Sequence, residues 1–372
     1  MIRLLNEMLN IDTQNPPGNE RILADYIFRY LSECPCERSL QDIGNGRANV
    51  IARIKGREPG RALMLNGHLD TVPNGAGWHT DPQRAEEKDG RLYARGASDM
   101  KSGLAVMLFA FRETAESGIR PAHDIVLAGT ADEESGGFGA RALAEAGLLK
   151  DVETILIFEP TDLGLGLAAK GCLWLRIQAS GKTCHGAYPE RGINAIDSLT
   201  GLAGIIRETV TGGTHPLLGQ ATATLTQIAG GLKVNMVPDR AEAMMDIRTL
   251  PGTDHQTLVR KIRQKAEELC TATPGLEIRL SVENNRRPVE TRRRSVYAQR
   301  MEQLYRELFN EPMKHTGTAF FSDASVFLNY ADCDVIQFGP GESALAHTPD
   351  ESVSIEACEK ALRLTRALLK EA

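Results

Sequence analysis

Several apolar runs in this chain end in side chains of the metal-binding kind. Met64-Leu65-Asn66-Gly67 runs out into His68-Leu69-Asp70, and Thr130-Ala131 into Asp132-Glu133-Glu134 followed by Ser135-Gly136-Gly137. Ile155-Leu156-Ile157-Phe158 ends in Glu159, and Gly96-Ala97-Ser98 is read as a further strand end closing on Asp99. Late in the chain, Phe338-Gly339-Pro340-Gly341 leads to Ala346-His347-Thr348. The carboxyl ends of strands are where open α/β sheets build their sites, and a carboxylate beside a ligating imidazole can orient it. A single His near an Asp is more often a surface ion pair; the repetition makes that reading weaker here. Like charges converging on one sheet edge repel, and burying them unpaired costs several kcal/mol or forces protonation. Divalent cations resolve the conflict.

Two imidazoles and several carboxylates, without cysteine, suit zinc, with cobalt or manganese as substitutes. Two such ions about 3.5–4 Å apart are a known hydrolytic device: they polarise a carbonyl and make hydroxide available at neutral pH. A proton must still travel from water to the leaving amine. One member of the Glu133-Glu134 pair can carry it while its neighbour binds metal, because adjacent side chains diverge.

The elements that must hold these residues alternate in the first half of the chain. Helices are expected over 20–32, 102–116 and 140–146, and strands over 48–54, 62–66, 125–130 and 154–158, which implies a largely parallel sheet covered on both faces. From Lys170 the pattern changes to half-exposed strands (173–179, 222–228, 241–249, 276–282) and two helices (194–210, 258–270), the signature of a smaller α+β unit with an antiparallel sheet. Helices at 296–309, 324–329 and 355–369 and a strand at 334–338 resume the first style. The expected architecture is therefore α/β, a mixed, mostly parallel sheet with helices on both faces. Residues 1–169 and 285–372 form the catalytic metal-binding domain and 170–284 an insert. The basic cluster Arg286-Arg287, then Arg292-Arg293-Arg294, reads as a solvated return linker, since no interleaved aromatics make it a nucleic-acid patch.

Composition narrows the partners. The 372 residues carry 43 Lys plus Arg against 49 Asp plus Glu, a net charge of −6. That is the wrong sign for nucleic acid or an anionic membrane as main partner, and no segment reaches the roughly 20 apolar residues needed to cross a bilayer. Seven scattered Cys form no zinc-finger spacing, and free thiols point to a reducing compartment, the cytoplasm.

Taken in order, Gly67-His68-Leu69-Asp70, Gly96-Ala97-Ser98-Asp99-Met100-Lys101-Ser102-Gly103, Asp132-Glu133-Glu134, Glu159-Pro160, Gly186-Ala187-Tyr188-Pro189, Asn235-Met236-Val237-Pro238-Asp239 and Gly341 to His347 resemble the acetylornithine deacetylase / succinyl-diaminopimelate desuccinylase family of metallopeptidases. Aminoacylases and glutamate carboxypeptidases belong to the same family. The resemblance implies one metal on His68, Asp99 and Glu159 and another on Asp99, Glu134 and His347, with Asp99 bridging. It implies that Asp70 orients His68, that Glu133 is general base and then acid, and that the Asp99–Met100 peptide is cis. It makes the insert a lid and homodimerisation domain whose His185 stabilises the oxyanion, with Asn235 and Arg248 meeting the substrate carboxylate. The turn from Thr316 to Ser325, with Phe320 and Phe321, departs from the better-known members; the two rings are expected to pack beneath it, the alternative being that they reshape the acyl pocket.

The expected activity is removal of the acyl group from a small N-acyl amino acid. A carboxypeptidase or dipeptidase on the same site is the alternative, and a non-catalytic binding protein on a hydrolase scaffold is the reading from another class. The last is disfavoured because every ligand and the base are retained.

Overall fold

The structure is a computed structural model and describes residues 1–291 and 295–371. The basic run Arg292-Arg293-Arg294 lies outside the described residues. The chain divides into two compact units, one of Met1–Leu167, Thr291–Thr316 and Ser322–Ala372, the other of Ala168–Glu290 and Gly317–Phe321. No helix among the described residues is long and apolar enough to cross a membrane, and all seven cysteines are free.

The first unit is built on a mixed sheet whose centre is parallel. Ile125–Thr130, Ala62–His68, Val152–Ile157 and Asp334–Gln337 lie side by side in that order, all parallel. Arg47–Ile54 and then Glu37–Gly44 continue one edge antiparallel, and Leu165–Ala169 pairs antiparallel at the other through Gly166 and Gln337. The Ala62–His68 and Ile125–Thr130 strands are buried at every position, as near-continuous apolar sequence requires when helices cover both faces. Ser102–Glu116 is a helix apolar almost all round, packed against Ile355–Leu369 and Ile2–Leu9, while Phe138–Glu145 packs with Ala324–Phe327.

Several elements went unassigned in sequence, among them the Ile2–Leu9 helix and the Glu37–Gly44 strand. The strand is polar and half-exposed, and its ladder to Arg47–Ile54 defines it where periodicity cannot. One expectation is corrected. Asp99 does not end a strand of the central sheet. The strand before it, Arg91–Tyr93, belongs to a separate three-stranded sheet with Glu86–Lys88 and Ser352–Ser354. Asp99 sits in an irregular turn entering the Ser102–Glu116 helix, with non-helical backbone at Asp99 and Met100 and a cis Asp99–Met100 peptide.

Register explains why the site forms where it does. His68 is level with Thr130, and Asn66 with Ile157, which is itself level with Gln337. All four parallel strands therefore run out at the same edge, and the residues just beyond them converge.

The second unit is a four-stranded antiparallel sheet in the order Thr222–Gly230, Arg240–Thr249, Gly171–Ser180, Glu277–Arg286. The Ala195–Val210 and His255–Ala272 helices cover one face, burying Leu173, Leu175 and Ile177 with Leu199, Leu202, Ile206 and Ile262. The alternate residues Cys172, Trp174 and Arg176 face the other way, as a period of two dictates.

Gly103 lies where the Ser102–Glu116 helix meets the end of the Val152–Ile157 strand, and a Cβ there would come 2.0 Å from the Phe158 carbonyl oxygen. Gly103→Ala is expected to cost about 1–3 kcal/mol or more through overpacking. Gly201→Ala, in an open helical position with nothing within 4 Å, should be neutral or stabilise by about 0.5–1 kcal/mol. Urea unfolding of both variants checks the contrast, and equal stabilities would contradict the packing.

Candidate metal centre

His68 is the last residue of its strand. Its Nδ1 donates to the Asp70 carbonyl oxygen at 2.9 Å, which turns Nε2 toward the Asp99 carboxylate, 3.1 Å away. A carbonyl only accepts, so this bond fixes the tautomer and leaves the Nε2 lone pair available to a cation. Asp99 faces His68 with one oxygen and His347 with the other, at 3.1 and 3.3 Å. His347, held with φ of +62°, also lies 3.1 Å from Glu134. Glu159, two residues beyond Ile157, is buried beside His68 and Asp99.

The ligand atoms of His68, Asp99 and Glu159 all lie within 4.8 Å of one another, as do those of Asp99, Glu134 and His347. The two triads share Asp99. A third grouping, His68 with Glu133 and Glu134, places Glu133 against the same cluster. The structure thus brings together six of the residues singled out in sequence, and Asp70 stands directly behind them.

The turns carrying these groups are pinned from behind. The buried Glu351 accepts the backbone N–H of Ser98 at 2.8 Å and of Asp99 at 2.9 Å, and its other oxygen accepts from Arg95 at 2.6 Å. Asp70 behaves differently from the expectation that its carboxylate orients His68. That carboxylate is 3.7 Å from Nδ1, and the backbone carbonyl does the orienting. The carboxylate instead accepts the N–H groups of Glu133 and Glu134, each at 3.1 Å, and the Asn15 amide at 2.9 Å.

Asn15 also donates to Asp132 at 2.9 Å and accepts from Arg47 at 2.9 Å. Arg47 is ion-paired with Asp132, whose N–H reaches the buried Glu20 at 3.1 Å. Of these supporting residues Asn15, Arg47 and Glu20 were missed in sequence. The Asn15-Pro16-Pro17-Gly18 run signals a turn in sequence and no chemistry.

Electrostatics shows what the cluster lacks. Burial pushes the Glu133 and Glu159 carboxyls well above the ordinary range, and the neighbouring charges of Glu134 and Asp99 add to it. Burial raises Glu134 as well, against the hydrogen bond from His347. At Asp99 burial is outweighed by His347 and His68, which hold its carboxyl below the usual range. His347 is pushed up to about 10 by Asp99 and Glu134. Retained protons and imidazolium charge are thus the chain's own remedy for excess negative charge. A donor set of imidazole nitrogen and carboxylate oxygen fits zinc, cobalt or manganese in their place.

His185, Asn235 and Arg248 lie in the second unit. His185 is exposed, its Nδ1 accepting the Ala187 N–H at 3.0 Å, and its neighbour Gly186 donates to the Asn235 carbonyl at 2.8 Å. Arg248 is held by both oxygens of Asp246, at 2.7 and 3.0 Å. Phe321 is half-buried in the same unit, 5.9 Å from the Arg248 guanidinium.

Residues 64–371 match the profile described as peptidase family M20/M25/M40. The chain is 32% identical over 374 residues to an acetylornithine deacetylase of Myxococcus xanthus, covering 96% of this chain and 94% of that protein. It is 29% identical over 387 residues to a probable succinyl-diaminopimelate desuccinylase of Staphylococcus epidermidis, covering 95% and 92%. In fold it is similar to the aminopeptidase PepT of Bacillus cereus, with a TM-score of 0.81 at 21% identity over 100% of this chain and 97% of that one.

The shared acid sets an expected hierarchy of metal loss. Asp99→Ala should lose both ions, His68→Ala or Glu159→Ala mainly one, and Glu134→Ala or His347→Ala mainly the other. Metal analysis after dialysis reads the stoichiometry. An Asp99→Ala protein that keeps two equivalents would break the bridging assignment.

Proposed function

The chain belongs to peptidase family M20/M25/M40 and is a metal-dependent hydrolase of linear amide bonds, and from that premise we propose that it removes the acyl group from a small N-acyl amino acid. The observation that carries this reading is Glu133, a buried carboxylate facing two ligand triads that share Asp99. The names of the relatives, a deacetylase and a desuccinylase, support an acylated amino acid as the substrate class.

The proposed cofactor is a pair of divalent ions, zinc by preference with cobalt or manganese able to substitute, on His68, Asp99 and Glu159 and on Asp99, Glu134 and His347. When bound, such ions polarise the scissile carbonyl and ease the loss of a proton from water. The chain's own residues do the rest. Glu133 takes the proton of the attacking water on a carboxylate oxygen and returns it to the amide nitrogen as the C–N bond breaks, so that water and amide become carboxylate and amine. Asp70, by accepting the Glu133 and Glu134 N–H groups, keeps the two side chains diverging. One is then free for proton transfer while the other ligates.

In the second unit His185 is proposed to stabilise the oxyanion, and Asn235 and Arg248 to meet the substrate carboxylate. We further propose a cytoplasmic homodimer associating through this unit, without nucleic acid or membrane as partner. The exposed apolar side chains of Leu232, Val234 and Met236 support an interface there.

Glu133→Gln should keep its metal yet lose about 10²–10⁴-fold in turnover; unchanged turnover would remove Glu133 from the mechanism. A hydrolysis screen of N-acetyl and N-succinyl amino acids against dipeptides, with added zinc, cobalt or manganese, tests the substrate class. Cleavage of dipeptides alone would replace the deacylase reading by a peptidase one.

A further inference from the structure

The two imidazoles of the candidate centre are held in different ways. His68 ends a buried strand with its side chain 2% exposed, whereas His347 lies in a loop with its side chain 49% exposed. The local backbone does not fix it. His347 and Asp350 both stand at positive φ, +62° and +55°, on either side of Thr348-Pro349. That region is uncommon for residues other than glycine, and it persists where the surroundings over-determine it. The turn that aims His347 therefore needs a hold from outside.

Asp350 supplies one. One of its carboxylate oxygens accepts the backbone N–H of His79 at 2.9 Å, that of Thr80 at 3.0 Å and the Thr80 hydroxyl at 3.0 Å. The other accepts from His79 Nδ1 at 2.6 Å. These donors belong to residues 74–80, the segment that leaves the His68 strand. The same segment lies against the turn at Gly77, where a Cβ would meet the Pro349 ring at 3.4 Å. It is fixed in its own right. The Trp78 indole donates to the Asn74 carbonyl at 2.6 Å, the Asn74 N–H donates to Gln14 at 2.9 Å, and the Arg95 guanidinium lies 5.0 Å over the Trp78 ring. Arg95 also reaches the Thr348 carbonyl at 3.3 Å. The adjacent acids thus divide the work: Glu351 grips the Asp99 turn, and Asp350 grips the segment leaving His68.

We propose that Asp350 is a positioning residue for His347, aiming its imidazole at Asp99 and Glu134 and so setting the affinity of the metal site those three residues form. The inference rests on the metal-centre reading. Its weight falls on the two backbone bonds. The His79 side chain is 89% exposed, and an exposed ion pair adds little, whereas two successive N–H groups on one charged oxygen fix the main chain itself. A group that orients a metal ligand governs about 10- to 100-fold in affinity. The His68 site lacks this dependence, because strand pairing and the Asp70 carbonyl already fix its imidazole.

The test uses the full chain as Asp350→Ala, Asp350→Asn and His79→Ala, with zinc ion alone as the probe. Competition with a chelator yields two dissociation constants. Asp350→Ala should weaken one of them about 10- to 100-fold and leave the other nearly unchanged. Added to His347→Ala, it should weaken zinc binding no further, as expected of a residue acting through His347. Asp350→Asn, whose amide oxygen still accepts the two N–H groups, should keep most of the affinity, and His79→Ala should lose no more than about a few-fold. An Asp350→Ala protein that binds both ions as the parent does, weakens both alike, or further weakens His347→Ala overturns the proposal.

Hydrogen exchange of the metal-free chain keeps the two readings apart. Residues 343–350 and the His79 and Thr80 amides should exchange at least about 10-fold faster in Asp350→Ala, and unchanged exchange overturns the hold on the turn. If the parent binds no divalent ion while exchange still depends on Asp350, the metal-centre reading falls, and with it the affinity effect, while the hold on the turn stands.

Discussion

Everything in the first unit answers to one electrostatic constraint: four carboxylates, Asp99, Glu133, Glu134 and Glu159, are gathered around one sheet edge and largely removed from water. Burial alone drives three of them toward protonation, and only Asp99, flanked by two imidazoles, stays firmly ionised. Such a cluster would be an expensive way to stabilise a fold. It is a sensible way to build a site for multivalent cations, because the repulsion that burdens the free chain becomes affinity when a cation arrives.

The surrounding structure keeps these charges from relaxing apart. Glu351 holds the Asp99 turn through two backbone N–H groups, and Asp70 does the same for Glu133 and Glu134. Beneath them Asn15 ties Asp70 to Asp132, and Arg47 balances the charge. Close backbone contacts complete the frame: a Cβ on Gly341 would lie 2.1 Å from the Ser98 carbonyl oxygen, as one on Gly103 would crowd Phe158. Pre-organisation of this kind fixes the geometry that hydrolysis needs and removes reorganisation from the reacting step.

The second unit shows the same logic with the opposite sign. Its helix-covered face is an ordinary apolar core, while on its other face Asp246 holds Arg248 and Arg286 lies over the Phe321 ring.

Sequence by itself settled the alternating α/β plan, the change of style near Lys170, and the side chains of the candidate centre. The reason is that buried parallel strands leave long apolar runs whose ends are sharply marked, so His68 and Glu134 could be read off their positions, while Glu159 and His347 rested more on the family resemblance. It misplaced Asp99, because a small separate sheet and a turn into a helix resemble a strand end when only hydrophobicity is visible. It placed Asp70 beside His68 but not its bonds to the Glu133 and Glu134 N–H groups, and it passed over Asn15, Arg47 and Glu351, whose roles exist only through hydrogen bonds spanning 32 to 256 residues of chain. Arg286 was read as part of a basic linker. Only the ladder that sets it opposite Cys172, against Phe321 from a distant segment, shows it as a buried strand residue. Local pattern fixes which residues can do chemistry, whereas pairing across the sheets decides which charges meet and which are left unanswered.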